Sequence, residues 1–526
     1  MSTHTQPYIQ PMTRSSKLTL VLIALSLCAA GLLLFITKDG GLGVTPDSIH
    51  YLAASKSLLA GDVMSRFWWQ TPFASWPPLY PTLLAVLGVF ARAVNIDILE
   101  AARLAHTLFV GLIVFLSGCL FRRYLRSGIL IVMGTVSVGL AAPLVQVSMY
   151  VWNETFYILL SLIFLLYLPV FLEERRIHQF FVLVILAAMG TLERYASIAI
   201  IPFGMLAIAL FMQNTHWIKR WAVGTAFAIS AIPYLLWLMY IRTLSIPTIG
   251  PSADPFAEMI QNFTVTPKLV SQLFVPLNLQ TDFIVGCITV GILLTILFGF
   301  VTYFSDKSDR FGKTLLRTSP ILVALYVVMY MAFYYLSHLL IYSLNIDNRH
   351  LSVMVPFLML LIFFGLDRLA VRLAKVRWLY AAFIALLAIW FIYPASAMGE
   401  QIVFRQYWCC HGTVLYRDLP MIEWLKAHQS PGRYFSNTPI PLFYTPLTVY
   451  SGTWMVVDLN FWIQTAVDSN KDTYFIWFRD TANLFHQGAD KFYYDYDPEK
   501  ELANTTSLEL VATFAEGNVY RVRSKN

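Results

Sequence analysis

Charge is what this 526-residue chain has least of. Only 13% of its residues are Asp, Glu, Lys or Arg and 58% are apolar, against about 25% charged and 45–50% apolar in a soluble domain. That shortfall excludes a soluble globular protein, because apolar side chains in such excess must face lipid. A continuous basic patch is missing as well. The net charge of +7 arises from residues clustered in short gaps between apolar runs, the pattern that orients membrane helices and not a footprint for nucleic acid. Cysteine is sparse, with five in all. Cys28, Cys119 and Cys287 sit inside apolar runs as small packing residues. Cys409 and Cys410 are adjacent, which strains any bond between them, and with His411 they lack the partner ligands of a metal motif. No internal repeat or low-complexity tract stands out. No small-residue cleavage site follows the first apolar run, so that run reads as an uncleaved helix behind Arg14 and Lys17.

What the chain has in abundance is apolar runs of spanning length, about 20 residues each. The clear candidates are 18–37, 103–121, 129–147, 154–172, 221–241, 283–304, 318–342, 351–367 and 378–397. The stretch 180–213 is broken at Glu193-Arg194-Tyr195 and reads as two short helices in a hairpin. The run 79–94 is short, starts after Pro77-Pro78 and is read as not crossing. Basic clusters at Arg14/Lys17, Arg122/Arg123/Arg126, Arg175/Arg176, Lys219/Arg220, Lys307 to Arg317 and Arg368 to Arg377 belong to the cytoplasmic side. The expectation is an α-helical polytopic protein of about 11 transmembrane helices. Its N-terminus lies inside, its transmembrane domain covers 1–397 with a first outer loop at 38–78, and a small α/β domain at 398–526 lies outside the cytoplasm. Strands are expected at 448–457 and 473–478, with a β-rich end at 508–523.

The outer face collects the residues that carry chemistry. Asp47, in Thr45-Pro46-Asp47-Ser48-Ile49-His50-Tyr51, stands before a helix expected over Ser48–Leu59. It is either that helix's N-cap or a carboxylate poised to take a proton from a hydroxyl. Phe67-Trp68-Trp69 and Trp76-Pro77-Pro78-Leu79-Tyr80-Pro81 load the same loop with rings, as interfacial anchors or as contacts for sugar or lipid. Glu154 opens a span. Glu193 and Arg194 interrupt one, where charge is costly and marks a cavity, a mutual pair or a functional group. Arg194 suits an anion such as phosphate. Asn345 to His350 packs polar groups into a turn on the same face. Two sequons, Asn262 and Asn504, complete the inventory.

These segments resemble the polytopic glycosyltransferases of the GT-C fold, with bacterial kin similar to protein O-mannosyltransferases and aminoarabinose lipid A transferases. The carriers are Pro46-Asp47-Ser48-Ile49-His50-Tyr51-Leu52 with Gly61-Asp62, then Pro77-Pro78-Leu79-Tyr80-Pro81, Ala102-Arg103-Leu104, Asn153-Glu154, the Glu193-Arg194-Tyr195 break and Asn348-Arg349-His350-Leu351. The resemblance implies transfer of a sugar from a polyprenyl-phosphate donor to a lipid, glycan or protein acceptor, at the inner (plasma) membrane. Asp47 then takes the place of the catalytic base. Arg194 holds the donor phosphate, with Tyr195, Arg349, His350, Glu154, His50, Tyr51, Tyr80 and Arg103 as further donor- or substrate-binding candidates. No metal site is assigned. A divalent cation is left open as a cofactor, although Ser48 stands where kin often carry a second acid. The alternatives are a transporter or flippase, for which charged residues in broken helices are also expected, and a non-catalytic glycan-binding member of the same fold.

Overall fold

The computed structural model describes residues 16–66, 72–212, 215–244, 254–276, 279–305, 319–337, 346–404, 416–430, 432–447, 449–450, 464, 472–479 and 498–523. Phe67-Trp68-Trp69, Asn345 and the Cys409-Cys410-His411 group lie outside them.

The chain opens with α1 (Ser16–Ile36), then α2 (Pro46–Leu59) in the first outer loop, α3 (Leu79–Ala93) and α4 (Ile98–Tyr124). Next come α5 (Gly128–Gly139), α6 (Ala142–Ser148), α7 (Glu154–Glu174) and α8 (Ile177–Glu193). A 3-10 turn at Tyr195–Ala199 leads into α9 (Ile200–Phe211). After it follow α10 (Trp217–Ala226), a 3-10 turn at Phe227–Ala231, α11 (Ile232–Thr243), α12 (Pro255–Ser271) and α13 (Asp282–Ser305). The membrane part ends with α14 (Ile321–Ser337), the single turn α15 (Asn348–Ser352), α16 (Val355–Leu373), α17 (Arg377–Trp390) and α18 (Ile392–Phe404). Helix is the only open-ended element that satisfies every backbone group inside lipid, and each of the eleven apolar segments expected to cross is mostly helical over its described residues.

Six helices among the described residues are long and apolar enough to cross a membrane, and the bent pair α5–α6 makes a seventh. The remaining segments expected to cross are shorter or more charged: α8, α9 with its 3-10 turn, α14 and α16. The expected straight span over 129–147 is corrected to two helices bent by 47°. Pro143, at the start of α6, lacks the N–H that would continue α5. The 351–367 segment likewise begins anew at α16, which has Pro356 in its first turn.

α7 forms the centre of the bundle, with 72% of its apolar window buried, whereas α13 at the rim has 11%. Around α7 pack α4, α5, α8, α9, α14 and α16. Its core is fastened by Tyr157 Oη to Tyr326 Oη at 2.9 Å and by Ser161 to the same phenol at 3.0 Å. The two ends of the bundle differ. At one end Arg122 donates to Thr19 (2.8 Å), and Asp367 accepts from the backbone N–H groups of Arg126 and Ser127 at 3.1 and 2.8 Å. Arg122 and Arg126, with Arg368 beside Asp367, therefore share that end, while Arg14 and the 307–317 cluster lie outside the described residues. α2, the start of α4 and the C-terminal domain occupy the other end.

That domain carries a five-stranded sheet in the order β2-β1-β3-β5-β4, made of β1 (Arg433–Ser436), β2 (Val449–Tyr450), β3 (Thr473–Phe478), β4 (Leu508–Phe514) and β5 (Gly517–Val522). β1 pairs in parallel with both β2 and β3, and β5 runs antiparallel to β3 and β4. Three further short helices, α19 (Pro420–Ala427), α20 (Ile440–Tyr444) and α21 (Pro498–Asn504), accompany the sheet. The strands expected at 473–478 and 508–523 are present. Of 448–457 only β2 is described, and β1 was not expected, being four residues long behind a turn. α18 runs past residue 397 to Phe404, through Gly399.

One apolar cluster joins the domain to the outer loop. Leu42, Ile49, Leu52 and Phe73 pack in it with Met421, Ile422, Leu425, Ile440, Leu442 and Phe443. Two polar fastenings reinforce it. Lys56 of α2 donates to the Thr445 carbonyl, and Arg417 pairs with Asp97 at 2.9 Å.

Candidate active site

Four segments far apart in sequence each deliver one charge to the end of the bundle where the C-terminal domain sits. Asp47 lies in the first turn of α2, Glu154 opens α7, Arg194 occupies the break after α8, and Arg349 sits in α15. They form an alternating row. Asp47 Oδ2 meets Arg349 Nη1 at 2.5 Å, Arg349 Nε donates to Glu154 Oε1, and Arg194 Nη1 donates to that same oxygen. Side-chain exposure is 26% at Asp47, 17% at Arg349, 0% at Glu154 and 10% at Arg194. Asp47 is thus the mouth and Glu154 the floor. An unpaired buried ion costs several kcal/mol, so such charges are held only when paired and hydrogen-bonded. Two acids and two cations make the row neutral.

The local sequence explains how each member is aimed. The expected helix start at Ser48 is corrected to Pro46, and Asp47 is not the N-cap. Thr45 takes that position, with its backbone N–H donating to Ser48 Oγ at 3.1 Å. Proline at the first helical position is favoured because its missing N–H would be an orphan there in any case. The Asp47 carboxylate is thereby left for Arg349. Trp152 ties these two elements together: its Nε1 donates to Thr45 Oγ1 at 2.7 Å, and the Arg349 guanidinium lies 4.3 Å from its ring centroid.

Arg194 adopts an extended backbone (φ −144°, ψ 141°) that ends α8. The reading that Glu193 and Arg194 neutralise each other is overturned. Arg194 pairs with Glu154, and both Glu193 carboxyl oxygens are buried without a hydrogen-bond partner. Asn153 fixes the break from the α7 side, accepting from Arg194 at 3.4 Å while its Nδ2 donates to the Glu193 carbonyl at 2.6 Å.

The turn before α15 is held in a similar way. Asp347 caps it by accepting from His350 N (3.1 Å) and meets His350 Nδ1 at 2.7 Å, with the Tyr334 ring 4.8 Å from the imidazole. Asn262 of α12, fully buried, accepts from Ile346 N at 2.8 Å. That sequon is therefore structural and closed to a glycan.

The other expected residues divide. His50, Tyr51 and Tyr80 stand beside the row. Tyr51 is fully buried, edge-on to Tyr80 at 5.2 Å, and burial with the Asp47 charge nearby pushes its phenol well above the ordinary range. His50 stacks on Trp76 at 5.3 Å, and burial, with the Arg66 cation close by, holds it down at about 4. Tyr80 Oη lies 2.7 Å from His106 Nε2, while His106 Nδ1 faces the Ser148 carbonyl at 3.2 Å. A carbonyl only accepts, so Nδ1 carries the proton and Tyr80 donates. Tyr195 donates to the Ala74 carbonyl at 3.1 Å and accepts from Trp237 at 3.3 Å. Arg103 does not join the row. Its guanidinium is committed to Thr37, the Leu34 carbonyl and Glu100, at 2.9, 3.0 and 2.7 Å, and so fastens α4 to the end of α1.

Sequence reasoning had no role for Trp152 or Asn153, which position the row, nor for His106, a lone histidine in an apolar run. The first outer loop does not fit a divalent cation. Asp47 and Glu154 are each taken up by guanidinium, Ser48 turns back to Thr45, and no three His, Cys, Asp or Glu side chains converge among the described residues.

No protein-family model matches the chain, and no curated protein does. Solved structures do. The chain is similar to ArnT from Cupriavidus metallidurans bound to undecaprenyl phosphate, with 14% identity, a TM-score of 0.53 and coverage of 95% of this chain and 97% of that one. It is also similar to the same protein in the apo state, with a TM-score of 0.52 at 14% identity and the same coverage. With its apolar helices and end-to-end match, the chain is a polytopic α-helical membrane protein of the GT-C fold, bearing a small C-terminal α/β domain.

Proposed function

We propose that this protein is a membrane glycosyltransferase that moves a sugar from a polyprenyl-phosphate donor to a lipid, glycan or protein acceptor outside the cytoplasm. The observation that carries the reading is the row Asp47–Arg349–Glu154–Arg194, which brings two carboxylates and two guanidinia into contact. The described basic residues Arg122, Arg126 and Arg368 lie at the far end of the bundle, which supports placing this end on the non-cytoplasmic face of the inner (plasma) membrane. We read residues 1–397 as the transmembrane catalytic domain and 398–526 as an extracytoplasmic domain. The transmembrane and outer-loop architecture shared with a structure that holds undecaprenyl phosphate supports the donor class.

The chemistry is a single displacement. The acceptor hydroxyl oxygen attacks the anomeric carbon from the face opposite the phosphate while Asp47 takes the hydroxyl proton. The bond from that carbon to the phosphate oxygen breaks, its electron pair leaves with the polyprenyl phosphate, and the anomeric centre inverts. Arg194 and Arg349 meet the charge that develops on the leaving oxygen. Glu154 holds both cations in register for it. In the resting site Arg349 occupies Oδ2 of Asp47. A donor phosphate competes for that guanidinium and releases the oxygen to the acceptor, so the base is exposed when a donor has arrived.

The decisive experiment incubates the purified protein with a panel of polyprenyl-phosphate sugars and follows which is consumed, with Asp47→Asn alongside. Loss of the general base lowers turnover at least about a hundredfold. Consumption unchanged in Asp47→Asn removes the base from the mechanism. Movement of a lipid-linked sugar across the membrane without its consumption supports a flippase instead.

A further inference from the structure

Arg66 has no role in the row, yet it is the arginine of the outer loop whose charge is left uncompensated. It stands next to the Ser65–Pro72 bridge, beside which Phe73 N donates to the Met64 carbonyl at 2.9 Å. The guanidinium is half-buried and lies 5.9 Å from the Trp76 ring centroid. Its Nε is buried without a hydrogen-bond partner, and no carboxylate pairs with it among the described residues. Other outer-face arginines such as Arg103, Arg194, Arg349 and Arg417 each have an acid.

A second unsatisfied group adjoins it. His50 stacks on the same Trp76, and its Nδ1 is buried with no partner. At neutral pH the imidazole is uncharged, so that nitrogen offers one hydrogen bond and no competing charge. His50 follows Asp47 by three residues on α2. That spacing puts two side chains on one helical face, their Cβ atoms about 5–6 Å apart. A half-buried guanidinium without an anion is an unfavourable arrangement in a finished protein, and here it shares Trp76 with His50, which stands one helical turn from the proposed base.

We infer that Arg66, with His50 and held by Trp76, forms the subsite for the acceptor, and that the acceptor is anionic: a saccharide unit bearing a carboxylate or a phosphate beside the hydroxyl that reacts. The inference rests on the glycosyltransferase reading for the word acceptor. The anion on Arg66 orients the sugar unit so that its neighbouring hydroxyl falls to Asp47, while the donor phosphate is left to Arg194 and Arg349. The two negative charges are thereby kept apart.

The test measures binding without turnover. Three matched tetrasaccharides, one neutral, one carrying a single uronic acid and one a single phosphate monoester, are titrated into the purified full-length protein by calorimetry, together with polyprenyl phosphate. The wild type is expected to bind at least one charged form about tenfold more tightly than the neutral one, the scale of a charge-assisted hydrogen bond. The form preferred tells carboxylate from phosphate. Arg66→Gln is expected to erase the preference, Arg66→Lys to keep part of it, and both to leave polyprenyl phosphate affinity unchanged. Equal binding of all three saccharides by the wild type overturns the inference. So does an Arg66→Gln variant that loses polyprenyl phosphate and keeps the saccharide preference, which assigns Arg66 to the donor. Absence of transfer with every donor sinks the glycosyltransferase reading, while the charge preference and its dependence on Arg66 still decide the subsite.

Discussion

Glu154 accepts from two arginines while itself fully buried, so removing its charge has an unequal effect on them. In Glu154→Gln, Arg349 retains Asp47, but Arg194 keeps only the neutral Asn153 amide at 3.4 Å. Stranding a buried charge costs about 3–5 kcal/mol, and since Arg194 is only 9% exposed we expect about 3 kcal/mol for this variant. Arg194→Met strands nothing, because Glu154 keeps Arg349, and costs about 1.5 kcal/mol, the lower end for a charged hydrogen bond. The double variant leaves Asp47 with Arg349 as a self-sufficient pair. It should therefore be less destabilised than the two single costs together, by about 2 kcal/mol. The assay is thermal unfolding of the purified proteins in one detergent at pH 7, followed by tryptophan fluorescence. Midpoint shifts that simply add, or a Glu154→Gln variant as stable as wild type, refute the row as a coupled unit.

Four further outcomes follow from the geometry. Arg194→Gln should weaken polyprenyl phosphate binding about tenfold or more, and an affinity equal to wild type removes Arg194 from the phosphate site. Asn262→Ala leaves the Ile346 N–H without its acceptor, so it should lower stability by about 1–3 kcal/mol and weaken donor binding through the displaced Arg349 turn; unchanged donor affinity detaches α12 from the site. Lys56, outside the spans, is lowered to about 7 by burial and by Arg92. A lowered lysine is a penalty present in full below pH 7 and relieved as pH rises from there toward the unfolded value, so the melting midpoint should rise between pH 7 and pH 10 in wild type and less in Lys56→Met. Equal slopes would discard this linkage. Arg103→Gln should lower the midpoint while leaving donor affinity intact, and a loss of donor binding would return Arg103 to the site.

Much of this was legible in one sequence because lipid leaves few choices. Apolar runs had to be helices, and charges such as Glu154 and Arg194 that interrupt or border them had to be paired or used. The convergence of Asp47, Glu154, Arg194 and Arg349 on one face follows from the same reasoning. Their order along the row does not. Nothing in the spacing says that Glu154 bridges both arginines, nor that Glu193 is left out, because an adjacent opposite charge looks like a partner in one dimension. That Arg103 stands apart from the row was hidden for a related reason: its motif is short, and only packing shows that Thr37, Leu34 and Glu100 take its donors. The bend before Pro143 was present as a proline, but an apolar run reads as continuous when hydropathy alone is followed. β1 escaped notice since four residues give no usable alternation. Arg66 drew no attention at all, because an unpaired charge is defined by neighbours that a sequence does not reveal.

The bond from Lys56 to the Thr445 carbonyl joins residues 389 positions apart. A ribosome adding about 5–20 residues per second needs about 20–80 s to travel between them. Throughout that interval the apolar side of the first loop, with Ile49 and Leu52, has no sheet to cover it. The helix that carries Asp47 is thus among the first parts made and among the last to be finished. A chain halted before its final quarter should present an uncovered surface to chaperones and proteases, and it should be cleared before it can act on any lipid.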